Sequence, residues 1–109
     1  MIVGYTETAE RYLTDLVVVL LKHPYFLAED KAHEYVNTLY DYIGYYIPLL
    51  PGKKAPERFK KYGRDLRYIA YRPNRQTTWY IFYIQKNDRY IVTYITNNHV
   101  NAHHIQGLR

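Results

Sequence analysis

The sequence predicts an α+β fold: an N-terminal strand and a helix hairpin packed on a small, mostly antiparallel, curved sheet in the order β-α-α-β-β-β. Three observations carry that expectation. Apolar residues recur three and four apart through residues 9–47, which is helical spacing. Three short runs rich in Tyr, Ile, Val and Trp follow after residue 65, bounded by turn residues. The total of 109 residues fits one domain, spanning 1–109.

Each element has its own reason. Residues 2–5 make a short strand. Thr6 then reads as a helix N-cap, with Glu7 and Glu10 suited to the positive end of the helix dipole. Ala9, Tyr12, Leu13, Leu16, Val17 and Leu20 line one face of the first helix, and Val18, Val19 and Leu21 widen it. Pro24 stops this helix, and the short His23-Pro24-Tyr25 connection implies an antiparallel hairpin. A second helix is expected over about 27–47, with Ala32, Tyr35, Val36, Leu39, Ile43, Tyr46 and Ile47 inward; Pro48 and Pro51-Gly52 end it. Residues 52–65 read as an irregular basic loop. Strands are expected at 66–71, 77–85 and 89–96, joined by turns at 72–75 and 86–88. Both faces of the later strands are apolar, whereas a helix pair covers one. The other face is therefore expected to present aromatic rings to solvent or a partner.

Composition narrows the function. Hydrophobic residues at 48% and charged residues at 23% are globular values. With no Cys, disulfides, thiolate zinc sites and a cysteine nucleophile are excluded, and a reducing compartment is the simplest home. The longest aliphatic run, residues 16–21, is far short of the roughly 20 residues that a membrane span needs. The first residues lack the basic start and apolar core of a signal peptide, so a soluble, cytoplasmic protein with no membrane partner is expected.

Charge is unevenly divided. Residues 1–50 hold three basic and seven acidic side chains, and residues 51–109 hold twelve basic and three acidic. Nine of the cations fall within residues 53–75, against Glu57 and Asp65. A solvated face is the bland account. Like charges so close repel one another without a counter-ion, which favours an anionic partner such as a nucleic acid.

The stretch 51–71, PGKKAPERFKKYGRDLRYIAY, and the stretch 77–100, TTWYIFYIQKNDRYIVTYITNNHV, resemble the RelE/ParE superfamily of type II toxin–antitoxin toxins. They look like its basic loop with the following strand, and its last hairpin with a His-bearing tail. The helix hairpin fits by pattern. The resemblance implies a toxin held by a cognate antitoxin. In the RelE-like branch the toxin cuts mRNA on the ribosome; in the ParE-like branch it poisons DNA gyrase.

Metal-free RNA cleavage needs a base for the 2′-OH, cations for the phosphorane and an acid for the leaving 5′ oxygen. The resemblance puts Glu57 forward as base, since nuclease relatives carry a Glu in a similar Pro-Glu context. The alternative is a surface Glu paired with Arg58 or Lys60. His99 follows the last strand, where relatives place a His or Tyr; a histidine can exchange protons near neutral pH. Arg67, Arg72 and Arg75 can clamp phosphate. The catalytic candidates are Glu57, Arg67, Arg75 and His99. Lys53, Lys54, Lys60, Lys61, Arg64 and Arg72 can track a nucleic-acid backbone, and Tyr80, with Tyr83, Tyr90 and Tyr94, can stack bases. For at least half of these tyrosines alternation favours the core.

Two positions depart from the pattern. Relatives commonly place an Arg where Thr78 or Trp79 stands, and many have an aromatic where Val100 stands. His99, His103 and His104 have no carboxylate or cysteine close by in the tail, so neither metal nor cofactor is expected. Two other readings remain: a gyrase-directed toxin, and a basic nucleic-acid-binding module without toxicity. The wide apolar surface of the first helix predicts that an antitoxin or a second copy packs there, giving a homodimer in its absence.

Overall fold

The computed structural model describes residues 2–22, 29–100 and 102–108. Pro24 and the His23-Pro24-Tyr25 connection lie outside them, as does the expected start of the second helix at residue 27. The elements are β1 (Ile2–Tyr5), α1 (Glu7–Leu21), α2 (Glu29–Tyr46), β2 (Lys53–Lys54), a 3-10 helix (Glu57–Tyr62), β3 (Arg67–Tyr71), β4 (Trp79–Lys86), β5 (Arg89–Asn97) and α3 (Ala102–Ile105). Five strands form one mixed sheet in the order β1-β5-β4-β3-β2. β1 runs parallel to β5, and every other pair is antiparallel.

The fold class and the order of its long elements are as expected. Thr6 caps α1 by accepting a hydrogen bond from the Ala9 amide at 3.2 Å. Ala9, Leu13, Leu16 and Val17 of α1 meet Ala32, Val36, Leu39 and Ile43 of α2 over one sheet face. Ile69, Trp79, Ile81, Tyr83, Val92 and Ile95 supply the sheet side of that core. Each large aliphatic group buried there stabilises the fold by about 1.5–3 kcal/mol. Within it the Trp79 indole donates to the Tyr35 hydroxyl at 2.9 Å. Across the helix pair, Tyr40 donates to Glu10 at 2.8 Å.

Two expectations are corrected. Residues 52–65 are not an irregular loop; they form a fifth strand and a 3-10 helix. And the sheet face away from α1 and α2 does not expose its rings. The 3-10 helix lies on it through Phe59, and the C-terminal segment through Ile105 and Leu108. Tyr68, Tyr80 and Phe82 are buried beneath this second layer. The apolar character of both strand faces was the right signal, but the cover comes from the chain itself.

Register explains two local features. β2 pairs Lys53 with Tyr68 and Lys54 with Arg67, so the residue opposite Ala70 is Pro51. Proline has no N–H to give, and the ladder stops. The Ala70 carbonyl accepts instead from the Tyr42 hydroxyl at 3.0 Å. In β5, Tyr83 faces Val92 and Phe82 faces Tyr94, leaving Thr93 as a bulge residue. The extra residue reverses the alternation. Val92 packs under the helices, Tyr94 joins the opposite face, and Ile95 returns to the helix side.

Candidate nucleic-acid interface

The 72–78 loop joins β3 to β4 at one end of the sheet, the end at which β5 finishes: Tyr71 pairs with Trp79 and Trp79 with Asn97. Asparagines build this end. Asn and Asp side chains readily bond nearby backbone and so fix irregular turns. The Asn74 side-chain oxygen accepts from the Gln76 and Thr77 amides, both at 2.9 Å. Asn98 acts as a prosthetic strand residue. Its side chain accepts from the Thr78 amide at 2.9 Å and donates to the Gln76 carbonyl at 2.8 Å, while its own amide donates to the Thr78 carbonyl at 3.1 Å. Asn97 then takes the His99 amide at 2.8 Å.

The result is an exposed His99 on a braced backbone, its Nε2 3.0 Å from the Thr77 hydroxyl. Arg72 and Arg75, both exposed, ride on the same loop as Thr77. An imidazole and two guanidinium groups thus share one open end of the sheet. Together they can bind a phosphodiester and pass a proton.

The other expected site residues distribute differently. Arg67 lies towards the opposite end of β3, facing Tyr83 across the strands, with its Nη1 3.3 Å from the Gly52 carbonyl. Tyr83 and Trp79 are four residues apart in β4, about 13 Å at the rise of a strand. Arg67 therefore does not join the His99 end. Lys53 and Lys54 are exposed on the β2 edge beside it. Glu57, Lys60 and Lys61 occupy the 3-10 helix. Glu57 is exposed and 4.0 Å from Lys60, the surface pairing weighed against its role as base. The Lys61 ammonium stands 5.2 Å above the Tyr62 ring. Arg64 is exposed in the turn that follows.

Tyr80 is a correction. At 6% exposure its ring is packed against Tyr68 and has no open face for a base. Tyr83 and Tyr90 are buried on the helix side. Thr78 and Trp79 are also buried, at 8% and 3% exposure, so no cation stands at that position.

Sequence reasoning missed a second cluster. The Tyr94 hydroxyl lies 2.7 Å from His104 Nε2, and Tyr62 stacks on Tyr94 at 3.9 Å. Burial raises the Tyr94 phenol above its ordinary range, with smaller effects from its neighbours. Arg58 reaches the carbonyls of His104 and Gln106 and so ties the C-terminal segment to the 3-10 helix. The signal for Asn98 was present in the Asn-Asn-His run after a strand. The signal for Arg58 was absent, because its partners are 46 and 48 residues away.

The chain matches no protein-family model, and neither a curated protein nor a solved structure matches it significantly.

Proposed function

We propose that this chain is the toxin of a type II toxin–antitoxin system and cuts mRNA during translation on the ribosome. The observation that carries the reading is the braced His99 beside the Arg72 and Arg75 loop. In this reading the 2′-oxygen attacks the adjacent phosphorus and the 5′-oxygen leaves. A cyclic phosphate and a 5′-hydroxyl result. His99 gives the proton to the leaving oxygen, Arg72 and Arg75 hold the phosphorane charge, and a water molecule takes the 2′-OH proton, since Glu57 follows the strand end at Ala55 and lies with Arg67 away from this end. Lys53, Lys54, Lys60, Lys61, Arg64 and Arg67 track the RNA backbone over the rest of the basic half. A cognate antitoxin holds the toxin silent. Support also comes from the helix pair on one sheet face and the antiparallel run of later strands, the arrangement expected from the resemblance.

One observation favours a second reading, a gyrase-directed toxin. Buried Thr78 and Trp79 leave no guanidinium where nuclease relatives commonly carry one. Primer extension on an mRNA translated in a cell-free system separates the readings, using wild type, His99→Ala and Glu57→Ala with and without ribosomes. Ribosome-dependent cuts that fade about 100-fold or more in His99→Ala are expected, the usual scale for a general acid. Intact mRNA with translation unimpaired sinks the nuclease and sends the protein to gyrase cleavage assays. Equal cutting by all three proteins keeps the activity and removes His99 from it, whereas a loss confined to Glu57→Ala would move the reacting phosphate to the 3-10 helix.

A further inference from the structure

The end of α2 and the outer edge of β3 carry a series of tyrosines that the cleavage chemistry does not use. Tyr71 stacks on Tyr42 with ring centroids 4.1 Å apart, Tyr42 lies 4.5 Å from Tyr46, and Tyr45 meets Tyr46 edge-on at 4.9 Å. The inner rings are fixed. Tyr71 packs against the helix-side core, and the Tyr42 hydroxyl is tied to the Ala70 carbonyl, beyond the last β2 pair. Among the described residues the outer rings are open. Tyr46, expected to face the core, is 38% exposed, and Tyr45 is 64% exposed. Leu49, whose amide donates to the Tyr46 carbonyl, is 62% exposed beside them.

Cations frame these rings. Arg72, exposed, follows Tyr71, and Lys53 helps line an open cleft of about 290 Å³ that continues the surface between residues 50–53 and 68–70. Acids adjoin it as well: Asp41 stands one helical turn before Tyr45, and Asp65 precedes the far end of β3. The rings also lie near the His99 end of the sheet. Tyr71 pairs with Trp79 and Trp79 with Asn97, so Tyr71 is two strand spacings, about 10 Å, from β5.

We propose that these rings are a base-stacking platform for single-stranded RNA, holding bases that flank the phosphate bound at the 72–78 loop. Tyr45 and Tyr46 receive the bases on their open faces, and Arg72 and Lys53 hold the backbone phosphates. Every base has a flat π-face that can continue a series of rings, and cations beside the rings neutralise the strand that joins the bases. Rings already held in place lose little freedom on binding, which favours affinity. An uncharged apolar helix is the poorer occupant, since Arg72 and Lys53 attract an anion to the same surface. Stacking of this kind rests on the RNA reading above but not on its chemistry, so a strand that cannot be cut tests it alone.

The test is equilibrium binding of 2′-O-methyl octaadenylate to the full chain, with amide NMR to locate it. This strand has no free 2′-OH and is not cut. Shifts at residues 42–50 and 70–72 are expected, and an abasic strand of the same length and charge should bind about tenfold more weakly or worse. Tyr45→Leu/Tyr46→Leu keeps apolar area and loses both rings; it should weaken binding by about the same factor, and Tyr45→Phe/Tyr46→Phe should restore it. Asp41→Asn should tighten binding at low salt. Equal binding of the abasic strand, unchanged affinity in the Leu variant, shifts confined to residues 53–64 or no binding would each overturn the proposal. So would concentration-dependent shifts at residues 42–50 without RNA, which assign the rings to a second copy. Uncut mRNA in the cell-free system, with the octamer bound as expected, removes the cleavage and keeps the platform. Cut mRNA with a Leu variant that binds like wild type removes the platform alone.

Discussion

Gly52 is the residue on which the β2 edge turns. Its φ is +65°, a region open to glycine at little cost. A Cβ built there would stand 2.1 Å from the Tyr83 hydroxyl, and Tyr83 is itself packed beneath the helices. Neither strain relaxes cheaply. Gly52→Ala should destabilise the protein by about 1–3 kcal/mol, read as a lower urea midpoint at unchanged slope. An unchanged midpoint would mean that the edge and Tyr83 move freely. His99 is the contrasting case. It is exposed and bears on no core, so its loss should leave stability alone while removing the cleavage proposed above.

Among the elements, the pairing of the 3-10 helix with the C-terminal segment decides what the far face of the sheet can do. Ile105 and Leu108 pack on that face, and Arg58 holds the chain end over it through two carbonyls. Arg58 also lies over the Phe59 ring at 4.6 Å. Charged donors to carbonyls are worth about 1.5–3 kcal/mol when shielded, and the exposure of Arg58 pulls this to the low end. Arg58→Ala should therefore speed hydrogen exchange in residues 102–108 about tenfold while the β4 and β5 amides keep their protection. Arg58→Lys should restore only part, since an ammonium cannot span both carbonyls as a fork does. Unchanged exchange would show that Ile105 and Leu108 suffice as anchors.

The whole molecule is a tyrosine-rich body, with 15 Tyr in 109 residues. Burial pushes Tyr5 up to about 12, helped by the charge of Glu10. It also pushes Tyr12 up to about 12, with Tyr94 adding and a bond to Asn97 opposing. Burial, then Glu10, raises Tyr40 as well. Burial raises Tyr35, Tyr42, Tyr83 and Tyr94 in the same direction. The sign follows from linkage. In the fold these phenols hold their protons above the ordinary value of 10.0, whereas the unfolded chain releases them there. Their stabilisation is thus complete below pH 10 and is lost as pH rises from 10 towards 12. Tyrosinate absorbance and circular dichroism followed together should show part of the tyrosinate signal appearing only as the fold is lost. A single smooth titration of all 15, with the fold intact, would contradict the burial.

Helix positions, the N-cap at Thr6 and the strand-rich second half were legible in the sequence because they depend on spacing along the chain. The clustering of cations in residues 53–75 was legible for the same reason. Which of them share a site was not. Strand register sets Arg67 about 13 Å along the sheet from the His99 end, and register is a property of pairs of strands. Tyr80 and Tyr94 read alike as alternating aromatics. The bulge at Thr93 and the cover supplied by Phe59, Ile105 and Leu108 decided that both pack on the far face, with Tyr80 the more deeply buried. Local periodicity determines which face of an element is apolar. What covers that face is settled by segments tens of residues away, through contacts whose free energy exists only once the chain has folded.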